Sequence, residues 1–209
     1  MLNNVLFFIL CSPYVVVVLV YTLKYMKIYF ISKNVGKLRA VRHAFEGSDI
    51  DIEQLDGDFP EIQAETSLEI ARHTAIAASK QMGAPVLRED GSVCLQGLGG
   101  LPGPFMAYIE KMITPETLAS LLEGRDRSGY FEGATVLAYP DGATIERVYR
   151  VHFTVAQEPR GELQAGWNQI LILEGEERTM AEYPETERTH IWAKNYISIR
   201  EALGRVVQP

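Results

Sequence analysis

The stretch from Val86 to Tyr108, VLREDGSVCLQGLGGLPGPFMAY, limits most strongly what this chain can fold into. A short apolar run ends in two adjacent carboxylates, Glu89 and Asp90, and Gly91-Ser92 then signals a turn before a second short strand. In the loop from Gly97 to Pro104, glycine permits close backbone approach and proline adds stiffness. An acidic pair beside such a loop suits a cation that holds a phosphate, because magnesium takes carboxylate oxygens and is completed by substrate phosphates. The alternative is a β-hairpin followed by a proline-capped helix, with the acids simply solvated.

The composition narrows the class of protein. The chain has 209 residues, a net charge of −7 and a hydrophobic fraction of 47%, which is typical of one globular domain or of two lobes that share a core. The acidic balance argues against a nucleic-acid-binding protein, which needs a basic footprint. It is compatible with a nucleotide ligand, because a few lysines and a metal can neutralise one triphosphate. Cys11 and Cys94 give neither a disulfide framework nor zinc-ligand spacing.

The N-terminal segment is unusual, because residues Val5 to Leu23 are uncharged and almost wholly apolar, and lysines follow them. A membrane-spanning helix needs about 20 such residues, and the lysines would keep the C-terminal side cytoplasmic. Two other interpretations are a packed helix and an extension outside the working protein, since Met26 opens directly onto a strand pattern. We therefore expect an apolar extension over residues 1–25 and a working domain over residues 26–209. The expected location is cytoplasmic, with a membrane-anchored cytoplasmic domain as the alternative.

From Met26 onward, strand and helix patterns alternate and predict an α/β domain. A strong turn signal at Pro140-Asp141-Gly142-Ala143 joins two long strand patterns, so we expect an antiparallel hairpin and a mixed sheet. The predicted strands are Lys27–Ser32, Asp51–Leu55, Tyr130–Tyr139, Ile145–Val155 and Gln169–Leu173, and the predicted helices are Leu38–Phe45, Ser67–Met82, Phe105–Ile113, Pro115–Leu122 and Thr189–Leu203.

The loop from Ser32 to Lys37 passes from a strand to the start of a helix, which makes it a ready anion site. Asn34 could add a polar contact to a phosphate, and Lys37 could add a positive charge. The glycine spacing of a P-loop is absent. An ordinary strand-to-helix turn with a surface lysine is the alternative.

Taken in order, these motifs resemble the inosine triphosphate pyrophosphatase family over about Met26 to Leu203. The matches occur in order and with the spacing of the family. The matching segments are Ser32 to Lys37 with the phosphate loop Thr-Gly-Asn-x-x-Lys, Pro60-Glu61-Ile62-Gln63 with Pro-Glu-Ile/Tyr-Gln, Glu89-Asp90 with the acidic pair, Leu98 to Pro104 with the glycine-proline loop, Gly166-Trp167 with Gly-Trp/Tyr-Asp-Pro, and Thr179 to Glu182 with Thr-Tyr/Phe-Ala-Glu.

The chain departs from the family pattern in the half that reads the base. The family's Phe-Gly-Trp-Asp-Pro is here Ala165 to Gln169, which lacks the aromatic that stacks on the base and has Asn168 in place of the aspartate. The signature Lys-Asn-x-x-Ser-His-Arg is placed at Arg188 to Lys194, where Ala193 and Lys194 replace the His and Arg that read the 6-keto purine edge. A lysine lacks the planar fork of arginine. The metal and phosphate half of the site is therefore expected to be kept and the base half to be altered.

The resemblance implies an elongated mixed sheet flanked by helices in two lobes, a central nucleotide cleft and usually a homodimer. It implies magnesium-dependent hydrolysis of nucleoside triphosphates such as ITP, dITP and XTP to a monophosphate and pyrophosphate. Glu61, Glu89 and Asp90 would hold the metal, and Asp90 would orient or deprotonate the attacking water. Either Trp192 or Trp167 could supply new stacking, with core or rim packing as the alternative. The implied substrate contacts are Ser32, Asn34, Lys37, Gly166, Trp167, Asn168, Arg188 and Lys194.

Two functions compete at this stage. The first is an active pyrophosphatase whose base preference is altered or relaxed. The second is a nucleotide-binding protein that keeps the scaffold but has lost catalysis. Neither involves nucleic acid, and a membrane is involved only if the N-terminal apolar segment is a true anchor.

Overall fold

The computed structural model describes residues 4–11, 14–21, 26–57, 59–162 and 166–206. The strands are β1 (Asn4–Cys11), β2 (Tyr14–Tyr21), β3 (Met26–Ile31), β4 (Ile50–Gln54), β5 (Val86–Leu95), β6 (Pro102–Gly103), β7 (Ser128–Ala138), β8 (Thr144–Val155) and β9 (Leu171–Leu173). The α-helices are α1 (Val35–Phe45), α2 (Ser67–Met82), α3 (Met106–Ile109), α4 (Pro115–Leu121), α5 (Thr189–Trp192) and α6 (Lys194–Val206). Short 3₁₀ turns cover Gln96–Leu98, Met180–Glu182 and Glu185–Arg188.

A mixed sheet in the order β4-β3-β5-β7-β8-β9 forms the centre of the domain, with β6 paired to β5. The strands β4, β3 and β5 run parallel, and the pairs from β5 to β9 are antiparallel. The predicted hairpin is β7 and β8, whose ladder runs from Ser128 paired with Thr154 to Ala138 paired with Thr144. The mixed α/β fold predicted from the sequence is confirmed.

The central strands are covered on both faces, as their nearly continuous apolar patterns require. Successive residues of a strand point to opposite faces. On one face, Phe30 and Leu87 belong to a core formed with α1 and α6, where the Tyr196 ring meets Phe30 edge-on at 5.7 Å. On the other face, Val136 packs against Ala71 of α2. A further core lies around β8, β9 and α4.

The acidic pair does not lie at a strand end, and the turn predicted at Gly91-Ser92 is wrong. Strand β5 runs unbroken from Val86 to Leu95, and both residues pair with β7, Gly91 with Gly133 and Ser92 with Glu132. The β7 ladder extends over the whole of β5 and holds the glycine in extended conformation. Glu89 and Asp90 therefore project from opposite faces of the sheet.

The boundaries of helix α2 agree with the prediction, whereas other helices differ from it. Thr66 is the N-cap of α2: its side chain accepts a hydrogen bond from the Glu69 N–H while Glu69 reaches back to the Thr66 N–H, which completes a capping box. Helix α1 begins at Val35 and not at Leu38. The helix predicted over Phe105–Ile113 is shortened to α3. The closing helix is divided into α5 and α6 at the buried Ala193.

The apolar extension contains two paired strands. Strands β1 and β2 run antiparallel, from Asn4 paired with Tyr21 to Cys11 paired with Tyr14. Among the helices of the described residues, none has both the length and the apolar character that crossing a membrane requires.

Candidate active site

A cavity of about 630 Å³ lies beside the C-terminal end of β3 and the middle of β5. The residues that line it come from both halves of the predicted site. The predicted residues among them are Ser32, Asn34, Lys37, Glu61, Glu89, Asp90, Asn168 and Arg188. A second groove of about 830 Å³ lies between α1 and β4 and is lined by none of the predicted site residues. The chemistry is therefore concentrated in the first cavity.

The loop between β3 and α1 forms the half of the cavity that the sequence predicts to bind phosphate. Asn34 is the N-cap of α1, and its side-chain oxygen accepts a hydrogen bond from the Lys37 N–H at 3.1 Å. The Ser32 hydroxyl accepts a hydrogen bond from the Asn34 N–H at 3.1 Å and so fixes the turn before the helix. The Lys37 ammonium donates to the Glu89 carbonyl at 3.2 Å. A helix N-terminus and an ammonium thus lie at the same end of the cavity, an arrangement that binds anions.

The two acids of β5 have different surroundings because they lie on opposite faces. The Glu89 carboxylate lies 3.4 Å from the Lys37 ammonium, on the face of α1 and α6. Asp90 lies on the face of α2, where the Ser67 hydroxyl is a hydrogen-bond partner. Burial raises the pKa of Asp90, and the nearby Lys37 charge opposes this shift. Its Oδ2 atom is buried and has no hydrogen-bond partner among the described residues.

Glu61, from the loop before α2, is held by a residue that motif reading missed. The Arg88 guanidinium donates from Nη2 to the Glu61 carboxylate and from Nη1 to the Ile31 carbonyl at 3.2 Å. Arg88 and Asp90 are two residues apart on β5 and share a face. The sequence signal that could have identified Arg88 is its position directly before the acidic pair Glu89-Asp90.

The base half of the cavity includes only some of the residues predicted for it. Asn168 and Arg188 line the cavity. Trp192 also lines it, is half-buried, and meets the Phe131 ring edge-on at 5.2 Å. Trp167 is 4% exposed, donates its indole N–H to the Ile113 carbonyl at 2.8 Å and belongs to the core around β8 and β9. The structure therefore brings Trp192, and not Trp167, to the cavity.

Gly166 and Lys194 lie beside the cavity without lining it. Gly166 has a φ of +68°, a left-handed backbone conformation that favours glycine. The Lys194 ammonium donates to the hydroxyl of Tyr149, a residue that does line the cavity. Ala165, where the base-stacking aromatic is missing, lies outside the described residues.

The comparison with protein-family models decides the family. Residues 28–202 match the model of the Ham1 family. The chain belongs to the Ham1 family. This match covers nearly the same residues as the resemblance found from the motifs and confirms it.

Curated relatives support the membership, and solved structures share the fold. The chain is 34% identical over 167 residues to a dITP/XTP pyrophosphatase of Methanopyrus kandleri, covering 79% of this chain and 89% of that protein. It is 36% identical over 168 residues to inosine triphosphate pyrophosphatase 2 of Trypanosoma cruzi, covering 79% and 85%. A HAM1 protein from Coxiella burnetii shares the fold with a TM-score of 0.74 at 23% identity, covering 87% of this chain and 100% of that one. The Staphylococcus aureus Ham1 protein gives 0.70 at 24% identity, with coverage of 87% and 100%.

Within this Ham1 chain, the signature Lys-Asn-x-x-Ser-His-Arg fits better six residues beyond the place first given to it. The letters Lys194-Asn195-Tyr196-Ile197-Ser198-Ile199-Arg200 open α6 and match the signature except at Ile199. Asn195 lines the cavity and donates to the Gly133 carbonyl at 2.6 Å. Ile199 is fully buried in the core formed with α1. The placement at Arg188 to Lys194 therefore needs correction, because the letters at Lys194 to Arg200 lack only the histidine. Arg200 nevertheless donates to the Ala44 carbonyl at 2.7 Å and is not among the residues that line the cavity.

The acids of the Ham1 cavity fit a metal that the substrate helps to bind. In the described part of the chain, no three His, Cys, Asp or Glu side chains are grouped closely enough to hold a metal ion. Glu61 and Asp90 nevertheless offer carboxylate oxygens, and the Asp90 Oδ2 atom has no other partner among the described residues. Magnesium is usually held by one or two carboxylates together with substrate phosphates. A site with two carboxylates that the phosphates complete agrees with this geometry.

Proposed function

We propose that this chain is a magnesium-dependent nucleoside triphosphate pyrophosphatase. It hydrolyses the bond between the α and β phosphates and releases a monophosphate and pyrophosphate. The observation that carries the proposal is the cavity in which the α1 N-terminus and Lys37 lie beside Asp90, whose Oδ2 atom is buried without a partner in the described structure. The names of the relatives, dITP/XTP pyrophosphatase and inosine triphosphate pyrophosphatase, support non-standard purine nucleotides as substrates.

Each residue of the phosphate half has a role that follows from its position. The N–H groups at the start of α1 and the Lys37 ammonium bind the phosphate oxygens. Asp90 orients the attacking water and accepts its proton, a role favoured by the burial that raises its pKa. Glu61 and Asp90 would hold the magnesium ion, which lowers the charge barrier and orients the phosphates when bound. Glu89 acts through Lys37, which it holds at 3.4 Å.

The base half favours a purine that is held by stacking and by few specific contacts. Trp192 lines the cavity and offers a ring on which a base can stack. Ile199 provides no hydrogen bond where the family signature has histidine, so discrimination between bases is expected to be weaker. We therefore expect activity on ITP, dITP and XTP, with a base preference broader than a site with that histidine would give.

The working domain is proposed to be residues 26–209, acting as a homodimer in the cytoplasm. The family match begins at residue 28, inside this range. Three of the four most exposed large apolar side chains of the described residues lie in one segment, Leu101 at 63%, Tyr108 at 65% and Met112 at 76% exposure, and such a surface is suited to a protein contact. Light scattering of the chain starting at Met26 should give twice the monomer mass. A folded monomer would contradict the dimer, and an insoluble protein would contradict the domain boundary.

The test of the activity is pyrophosphate release with magnesium across ITP, dITP, XTP and the four standard triphosphates. Asp90→Asn should lower the turnover rate by about 10²-fold or more while the fold is retained. Glu146→Gln is the matched control, because it makes the same carboxylate-to-amide change on β8 outside the residues that line the cavity. Full activity of Asp90→Asn would refute its role. Nucleotide-dependent thermal stabilisation without pyrophosphate release from the wild type would favour the binding-protein function instead.

A further inference from the structure

Arg88 is a largely buried cation that contacts Glu61, one of the two acids of the proposed metal site. Its side chain is only 13% exposed, whereas that of Glu61 is 52% exposed. The guanidinium is anchored to the end of β3 through the Ile31 carbonyl at 3.2 Å and pairs with Glu61 on its other side. Its Nε atom is buried and has no hydrogen-bond partner within the described residues. One donor of the guanidinium is therefore left without an acceptor in the described structure.

This ion pair competes with a metal for Glu61. A guanidinium cannot lose its proton in a protein, so its charge is fixed. A divalent cation that binds Glu61 must either displace Arg88 or lie close to it, and two like charges in a partly buried site repel each other strongly. The described residues also show no group of three acidic or His/Cys side chains that could hold the cation alone. The nucleotide-free site is thus poorly suited to bind the metal by itself.

A triphosphate changes this balance. It brings negative charge to the cavity, which offsets the combined charge of the metal and the guanidinium. Arginine binds phosphate oxygens through two parallel donors, and the fork of Arg88 becomes available when Glu61 turns to the metal. The backbone anchor at Ile31 keeps the guanidinium near the phosphate loop, because Ile31 directly precedes Ser32.

We propose that Arg88 occupies Glu61 in the nucleotide-free protein, so that the divalent cation binds only together with the phosphate chain, and that the released guanidinium then binds the phosphates. This inference rests on the proposed function, since it concerns the metal and the phosphates of that same site. It makes Arg88 a phosphate-binding residue and the cause of ordered metal binding. A purely structural role, in which Arg88 only links β3 to the Glu61 loop, predicts neither effect.

The test measures binding and does not require turnover. Mn²⁺ is titrated by calorimetry into the full nucleotide-free chain, and pyrophosphate is titrated separately in the presence of saturating Mg²⁺. Arg88→Met should bind Mn²⁺ about tenfold more tightly and pyrophosphate about tenfold more weakly, because a fixed positive charge and a phosphate fork are both lost. Arg72→Met, which breaks a comparable arginine–glutamate pair between α2 and β8, should change neither value.

Each outcome decides the proposal. Unchanged or weaker Mn²⁺ binding by Arg88→Met overturns it, and so does unchanged pyrophosphate binding. Arg88→Lys keeps the charge and should keep the Mn²⁺ affinity within about twofold, while weakening pyrophosphate binding because the fork is lost. This variant also decides the question if Arg88→Met does not fold, since tighter Mn²⁺ binding by Arg88→Lys would contradict the charge argument. If the wild type releases no pyrophosphate from any nucleotide, the proposed function fails, whereas the Mn²⁺ comparison remains valid.

Discussion

The two tryptophans near the base half should respond in opposite ways to the same substitution. Trp167→Phe removes an indole N–H that donates to the Ile113 carbonyl at 2.8 Å, in a side chain that is only 4% exposed. The lost hydrogen bond leaves a carbonyl without its partner and costs about 1 kcal/mol. The smaller ring leaves space in the core around β8 and β9, which costs about 1–2 kcal/mol more.

The expected total is a loss of about 2–3 kcal/mol in the free energy of unfolding. For a chain of this length, the loss corresponds to a fall in Tm of about 4–12 °C. Thermal unfolding followed by circular dichroism measures it. The KM for ITP should stay within about twofold of the wild-type value at 25 °C, because the structure places Trp167 outside the residues that line the cavity.

Trp192→Phe is the matched control, since the same ring change is made at the cavity. Trp192 is half-buried and keeps part of its edge-on contact with Phe131 when it becomes phenylalanine, so stability should change by less than about 1 kcal/mol. A smaller stacking surface should raise the KM for ITP about fivefold. If instead Trp167→Phe raised KM and left Tm unchanged, the assignment of the two rings would be refuted.

Three further substitutions test local features. Asn34→Ala should lower the unfolding free energy by about 1 kcal/mol in urea titration, because it removes the N-cap of α1, and it should raise KM as well. Gly97→Ala should cost about 2 kcal/mol in the same assay, since its Cβ would lie 2.3 Å from the Asp126 carbonyl. Arg72 holds the pKa of the Glu146 carboxyl below its usual value of 4.5, so this pair stabilises the fold above that pH and is lost as the pH falls through the lower folded-state pKa. Glu146→Gln should therefore cost up to about 1 kcal/mol at pH 7 and nothing at pH 2, and an equal loss at both pH values would contradict the ion-pair argument.

The strand-to-helix loop from Ser32 to Lys37 was predicted correctly, because such a loop is recognisable from its local pattern. Asn34 caps α1 through the Lys37 N–H three residues later, so the helix begins at Val35 and not at Leu38 as predicted. The turn predicted at Gly91-Ser92 is wrong for the opposite reason, because the structure there depends on residues far away in the chain. Glycine and serine favour a turn locally, and only the long ladder with β7 holds them extended. Tertiary pairing overrode the local preference.

In the half of the site predicted to bind the base, placing the family signature six residues too early changes which base-reading groups are expected to be missing. Placing the family signature at Arg188 to Lys194 made two reading groups seem absent, whereas the letters at Lys194 to Arg200 lack only the histidine. The sequence did not reveal the boundary between α5 and α6. Because the predicted helix continues unbroken from Thr189, nothing in it indicates that the signature starts at Lys194. Ala193, buried at the junction of α5 and α6, marks that start in the structure.

The contacts that most affect the proposed chemistry join residues far apart in the chain, and no motif contains both partners. Lys37 and Glu89 are 52 residues apart, and Arg88 and Glu61 are 27 apart. The motifs alone assign Glu61 and Glu89 to the metal, but in the fold Glu61 pairs with Arg88 and Glu89 pairs with Lys37.

Asp90 differs, because its Oδ2 atom has no partner within the described residues and its burial opposes the charged form. A carboxylate left in that state is costly to the fold, and binding a cation or a proton from water is the process that relieves it. The distribution of partners among the three acids therefore distinguishes Asp90, whose Oδ2 atom has no partner in the described structure, from Glu61 and Glu89, which each pair with a cation.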